Sequence, residues 1–221
     1  MKIKSPIIIV NFKTYKEATG KKAYILAKEI EKAAIEYNVC VAIAVQPTDL
    51  MLIAKSVQIP VFAQHADVFS FGAHTGKITL DAIKSAGACG TLINHSECNV
   101  SDKHIEEVVN SAKELDLDVV VCTPDTKKVA KFSKLNPRFI AVEPPELIGG
   151  TLSVTSANPQ IISQTVKLAG STEVLCGAGV SNKFDVKTSL KLGAEGVLVA
   201  SSVVKHINPY EEVVELIKGL F

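Results

Sequence analysis

The residues best able to do chemistry stand just after short apolar runs. Asn11 and Lys13 follow the run 7–10, and Gln64 and His65 follow the run that begins at Val61. Asn94, His95, Ser96 and Glu97 come together in one stretch. Glu143 closes the run 139–142 and is followed at once by Pro144 and Pro145. Three ionisable types are thus available: an amine, an imidazole and a carboxylate. Glycines and small residues, Gly177-Ala178-Gly179 and Ala200-Ser201-Ser202, end two further runs. Such stretches let backbone amides come close to a phosphate. Together the set suits proton abstraction next to a carbonyl. A carboxylate base takes the carbon-bound proton, a neutral imidazole polarises the carbonyl oxygen, and a lysine stabilises the enediolate. Amides would hold a phosphate away from the reacting carbons. An isomerisation of this kind needs no cofactor, because the proton leaves one carbon and returns to its neighbour. No clustering of His, Asp and Cys along the chain suggests a metal.

These side chains converge only if their strands lie side by side. Apolar runs are expected at 7–10, 40–45, 61–64, 91–94, 118–122, 139–142, 173–176 and 196–200. Helical patterns are expected at 21–37, 79–86, 101–115, 158–168, 182–192 and 209–220, with shorter ones at 47–56 and 124–135. Runs apolar throughout indicate strands buried on both faces, as in parallel sheets. Eight strand–helix units without a linker predict a single α/β domain over residues 1–221, a (β/α)8 barrel. The alternative is a doubly wound open sheet. That fold usually carries a glycine fingerprint after its first strand, where this chain has Asn11-Phe12-Lys13-Thr14-Tyr15. In a barrel the strand ends named above share one face, the face where barrel chemistry is found.

Composition narrows the partners. The formal net charge is +1, so no global field points to nucleic acid or a membrane surface. Arg138 is the sole arginine, so an anion must be held by lysine or by backbone amides. The opening apolar run is too short for a secretion signal, and no stretch reaches membrane-spanning length. Five widely spaced cysteines without a C-x-x-C pair read as reduced thiols in a cytoplasmic protein.

Glu143 also opens a stretch, AVEPPELIGG, in which prolines stiffen the near end and glycines free the far end. It reads either as a lid or as an ordinary connection. Cys122 and Cys176 read as small core residues, and His104 and His206 as solvated. His65 and His74 read as surface or interface residues. The segment 67–77, with Phe69 and Phe71, is costly to leave in water and predicts burial against another subunit.

The chain resembles the triosephosphate isomerases, in the short form typical of archaea. The resemblance rests on Asn11-Phe12-Lys13, Gly72-Ala73-His74-Thr75-Gly76, Asn94-His95-Ser96-Glu97, Glu143-Pro144 with Ile148-Gly149, Gly177-Ala178-Gly179 and Ala200-Ser201, in this order across nearly the whole chain. It implies interconversion of D-glyceraldehyde 3-phosphate and dihydroxyacetone phosphate. Glu143 would be the base, His95 the neutral electrophile and Lys13 the positive charge beside the substrate. Asn11 would help polarise the substrate, and Glu97 would pair with Lys13. Ile148, Gly149, Gly179, Ala200 and Ser201 would give the amides around the phosphate. The family is a standing example of acid–base tuning and of lid closure, so these roles travel with the resemblance. Thr75 matches a position that reaches into the neighbouring subunit's active site, which implies a homo-oligomer, a dimer or the tetramer common among the archaeal forms. Cys98-Asn99 depart from the family, where a basic residue often supports the glutamate, and the lid lacks the tryptophan of the longer enzymes. Other phosphate-binding barrels, such as phosphoribosyl isomerases and indole-glycerol-phosphate synthases, share the glycine-rich ends. They lack Asn-His-Ser-Glu together with Glu-Pro. A barrel kept only as a binding module would be expected to have lost Lys13, His95 or Glu143.

Overall fold

A computed structural model describes residues 3–124, 126–143 and 159–221. The elements alternate: β1 (Ile7–Asn11), α1 (Lys21–Glu36), β2 (Cys40–Val45), α2 (Leu50–Ala54), β3 (Val61–Ala63), α3 (Leu80–Ser85), β4 (Gly90–Ile93) and α4 (Asp102–Glu114). Then come β5 (Asp118–Thr123), α5 (Val129–Ser133), β6 (Phe139–Val142), α6 (Pro159–Ala169), β7 (Glu173–Cys176), α7 (Lys183–Lys191), β8 (Gly196–Val199), α8 (Ser201–Val204) and α9 (Pro209–Ile217). All strands are parallel and close in sequence order, with β8 pairing back onto β1 through Ile7↔Gly196 to Val10↔Val199. This is the expected (β/α)8 barrel.

The period-2 geometry of a strand sorts the apolar runs into two cores. Ile7, Ile9, Phe62, Leu92, Phe139 and Leu198 belong to a small cluster that fills the barrel. Ile8 and Val10, with their outward-facing counterparts, pack against Leu26 and Ile30 of α1 and Ile105 and Val108 of α4. The interior is therefore a packed plug, and function is confined to its rim. Polar side chains cap several helices: Thr79 at α3, Ser101 at α4, Asn182 at α7 and Asn208 at α9 each accept a backbone N–H from the first turn.

Local differences from the sequence reading have physical causes. The helix expected at 124–135 is a 3-10 turn, Thr126–Lys128, followed by the short α5. The closing helix stops at Ile217 and tightens into a 3-10 turn. Ala200, expected as the end of the last strand, instead starts α8, its carbonyl accepting N–H bonds from Val203 (3.2 Å) and Val204 (2.9 Å). The Val203-Val204 pair hid that helix, because β-branched residues favour strand. The expected lid and the start of the helix at Asn158 lie outside the described residues.

Candidate active site

Lys13 sits one turn beyond β1 with φ of 47°, a left-handed conformation unusual for a side chain of its size. Three contacts hold it there. Its N–H donates to Asn11 Oδ1 at 3.0 Å. Gln64 Nε2 lies 3.2 Å from Asn11 Oδ1, 3.0 Å from the Lys13 carbonyl and 3.2 Å from the Ala44 carbonyl. Lys13 Nζ donates to Glu97 Oε1 at 2.7 Å. The amine is thus mostly buried (side chain 12% exposed), while its carboxylate partner is half in water (57%). A single amide, Gln64, ties the first three strands together beneath the lysine. The sequence reading placed Gln64 at a strand end but gave it no role. Its signal was a two-faced amide next to a buried strand.

The position of His95 is set by its neighbours in sequence. Asn94 takes φ of 59°, which asparagine tolerates better than other side chains. Its Nδ2 donates to the Cys122 carbonyl at 2.9 Å, and its Oδ1 accepts from Val100 N–H at 3.1 Å. The turn this creates points the Glu97 N–H at His95 Nδ1, 3.1 Å away. Nδ1 therefore accepts, and the proton of the neutral ring lies on Nε2. Burial lowers the imidazole's pKa, and the Lys13 charge lowers it further, against a smaller opposing pull from Glu97. The ring is held neutral, with an N–H donor aimed into the site.

That donor nitrogen is 3.5 Å from Glu143 Oε1. Glu143 extends β6 by one residue, its N–H bonded to the Thr123 carbonyl at 2.9 Å. Inward alternation from Phe139 and Ala141 carries its side chain to the barrel mouth. The carboxylate is buried, and Oε2 has no hydrogen-bond partner among the described residues. Burial pushes its pKa up to about 7, although the Cys122 thiol and the Lys13 charge both favour the anion. Cys122, expected as plain core, is buried and also touches the acid; desolvation and the neighbouring carboxylate hold this thiol well above its ordinary pKa. It is a donor to the base, not a nucleophile. Gly177 supplies the space beside the base: a Cβ there would lie 2.5 Å from Glu143 Cγ and 3.2 Å from Oε1.

Asn11, Lys13, His95 and Glu143 share one cavity of about 430 Å³ with Gly179, Ala200 and Ser201. Gly179 has φ of +67°, a left-handed conformation that glycine adopts without strain. Asp185 stiffens this loop, its Oδ2 accepting from Ser181 N–H (3.1 Å) and from Asn182 Nδ2 (2.9 Å). Ser202, expected among the small residues after the last strand, also lines the cavity, as do Tyr15 and Ser181, to which no role was assigned. The arrangement brings a carboxylate, a neutral donor and a cation into one cavity with small residues whose backbone lines it. A family model described as triosephosphate isomerase matches residues 6–219 of this chain, nearly the whole barrel.

The chain belongs to the triosephosphate isomerase family. Curated relatives of that name include one from Methanocaldococcus jannaschii, 46% identical over 96% of this chain and 99% of the relative. One from Archaeoglobus fulgidus is 46% identical over 97% and 98%, and one from Pyrobaculum arsenaticum 43% over 99% of both. The fold matches a solved triosephosphate isomerase from Bartonella henselae with a TM-score of 0.76 at 17% identity, over 96% of this chain and 99% of the other.

For a triosephosphate isomerase the remaining expected residues divide clearly. Glu97 does hold Lys13. Ile148 and Gly149 lie outside the described residues. Thr75 is exposed and does not line its own chain's cavity. His104, read as solvated, is half-buried, its Nε2 2.9 Å from the Ala66 carbonyl. Cys98 is exposed immediately after Glu97, with Sγ 3.8 Å from His65 Nδ1. Thiol reagents are therefore expected to inactivate the enzyme through Cys98, and Cys98→Ser should slow that loss several-fold. Unchanged inactivation kinetics in the serine variant would rule this thiol out.

Proposed function

We propose that Glu143, His95 and Lys13 carry the interconversion of D-glyceraldehyde 3-phosphate and dihydroxyacetone phosphate in this member of the family, a step of glycolysis and gluconeogenesis. The phosphorylated triose lies with its phosphate against the amides of Gly179, Ala200 and Ser201, joined by Ile148 and Gly149. Glu143 removes the proton from the carbon next to the carbonyl. His95 Nε2–H donates to the oxygen on which charge develops, and the Lys13 ammonium, with Asn11, stabilises the same enediolate. Glu143 then returns the proton to the neighbouring carbon, so atoms balance without a cofactor. A single observation carries this reading: a buried carboxylate, its pKa raised to about 7, faces an imidazole whose tautomer puts the N–H on the same side.

Assembly and location complete the proposal. The segment carrying Thr75 leaves Phe69 and Phe71 in water, Phe71 at 82% exposure. Covering them with a second copy supports a homo-oligomer, a dimer or tetramer, in which Thr75 serves the neighbour's site. The free cysteines favour a reducing, cytoplasmic setting. No described helix is long and apolar enough to cross a membrane. The net charge of +1 argues against nucleic acid as a partner. The whole of residues 1–221 acts as one catalytic domain.

The test is a coupled assay of wild type and Glu143→Asp side by side. Shortening the acid by one methylene keeps its charge and withdraws it from the carbon, so kcat should fall about 10²-fold or more. An unimpaired variant would move the base elsewhere. A folded but inactive wild type would overturn the isomerase reading.

A further inference from the structure

Outside the active-site cavity, the fold assembles a cluster that the sequence keeps apart. His65 and Asp67 stand two residues apart in the loop after β3, and His104 enters from the first turn of α4. One donor atom from each lies within 4.8 Å of the other two. None of the three lines the active-site cavity. His65 Nε2 and Asp67 Oδ1 are 3.6 Å apart, with side chains 22% and 10% exposed. Two ligands of a tetrahedral Zn2+ at ordinary bond lengths are about 3.4 Å apart. The imidazole rings of His65 and His104 are stacked, with centroids 5.9 Å apart and planes 13° from parallel.

The cluster is also braced from outside, as metal ligands are. Asp67 Oδ2 accepts from Ile78 N–H at 2.9 Å, which fixes the carboxylate. The other nitrogen of His65 faces Cys98 Sγ, and the His104 ring is positioned by the Ala66 carbonyl. One cation already competes: Lys77 Nζ lies 3.2 Å from Asp67 Oδ1. Its side chain is 45% exposed, so it can swing away at little cost.

We propose that His65, Asp67 and His104 bind one divalent ion of the Zn2+ class, pinning the base of the loop at 67–77 to α4. Two imidazoles and one carboxylate suit borderline ions such as Zn2+ or Co2+ rather than Mg2+ or Ca2+. Water completes the tetrahedron.

The experiment titrates Zn2+ into chelator-treated full-length protein by calorimetry and records the visible spectrum with Co2+. Wild type should take up one ion per chain and give the intense bands of a tetrahedral Co2+ site. His104→Ala and Asp67→Asn should each weaken binding by at least about 100-fold, the upper end of what loss of a mere outer partner costs. Lys77→Ala should tighten it several-fold, an effect that damage to the fold cannot mimic. Cys98→Ser should keep the site. Absence of stoichiometric uptake by wild type would overturn the proposal. So would binding that survives His104→Ala, fails to tighten in Lys77→Ala, or disappears with Cys98→Ser, the last marking a surface thiol as the true ligand.

Discussion

Glu143→Gln is expected to abolish turnover and, in the same molecule, to remove a large pH-dependent loss of stability. The folded pKa of about 7 stands above the ordinary 4.5 of an unfolded glutamate. Between these values the native state binds more protons than the unfolded chain, so stability falls as pH rises. The contribution is intact below about pH 4.5 and fully lost above about pH 7. The gap corresponds to about 3 kcal/mol. Urea unfolding of both proteins at equal protomer concentration, from pH 5 to pH 8, reads it directly. Wild type should lose about 2.5 kcal/mol more than Glu143→Gln across that range. Parallel curves would mean that the carboxylate is not held protonated by burial. The kinetic counterpart is that wild-type kcat/KM should fall as pH drops below about 7, because only the anion is a base. The burial that raises the pKa of Glu143 is also what makes its charge costly in the folded state.

Gly177→Ala is expected to cost about 10²-fold in kcat without replacing any ionisable group. The added methyl would stand 2.5 Å from Glu143 Cγ, so the acid must shift. A base displaced by this distance no longer lines up with the carbon. Overpacking should also cost about 1–3 kcal/mol of stability. KM should change much less than kcat, since Gly179, Ala200 and Ser201, proposed to hold the phosphate, are left unaltered. Steady-state kinetics decide it: an alanine variant with wild-type kcat would show that the carboxylate has room that the structure does not give it.

Much of this architecture was legible from residues alone. Strands such as Ile7–Asn11 and Cys40–Val45 are unbroken apolar runs, and burial on both faces leaves no other good home for them. Once the strands are placed, Lys13, His95 and Glu143 fall on one rim. What failed to show were contacts between neighbouring strands. Cys122 pairs in register with Ala141, two residues before Glu143, and both side chains point inward. Combining alternation with strand order would have put thiol and acid together, whereas composition alone filed Cys122 under core. Gln64 escaped because its three acceptors come from two other strands. The encounter of His104 with His65 depends on how α4 docks, and no period in the sequence encodes that.

The left-handed backbone at Lys13 bears on how this protein could be improved in the laboratory. A side chain other than glycine in that conformation costs about 1–2 kcal/mol. Glycine at position 13 would relieve it, a gain only partly offset by the extra freedom glycine gives the unfolded chain. The gain would delete the ammonium that Glu97 holds over the site. With Lys13 in the role proposed above, a screen rewarding heat resistance alone would be drawn to a position where the gain costs catalysis, and any campaign to harden this barrel must score catalysis in every round.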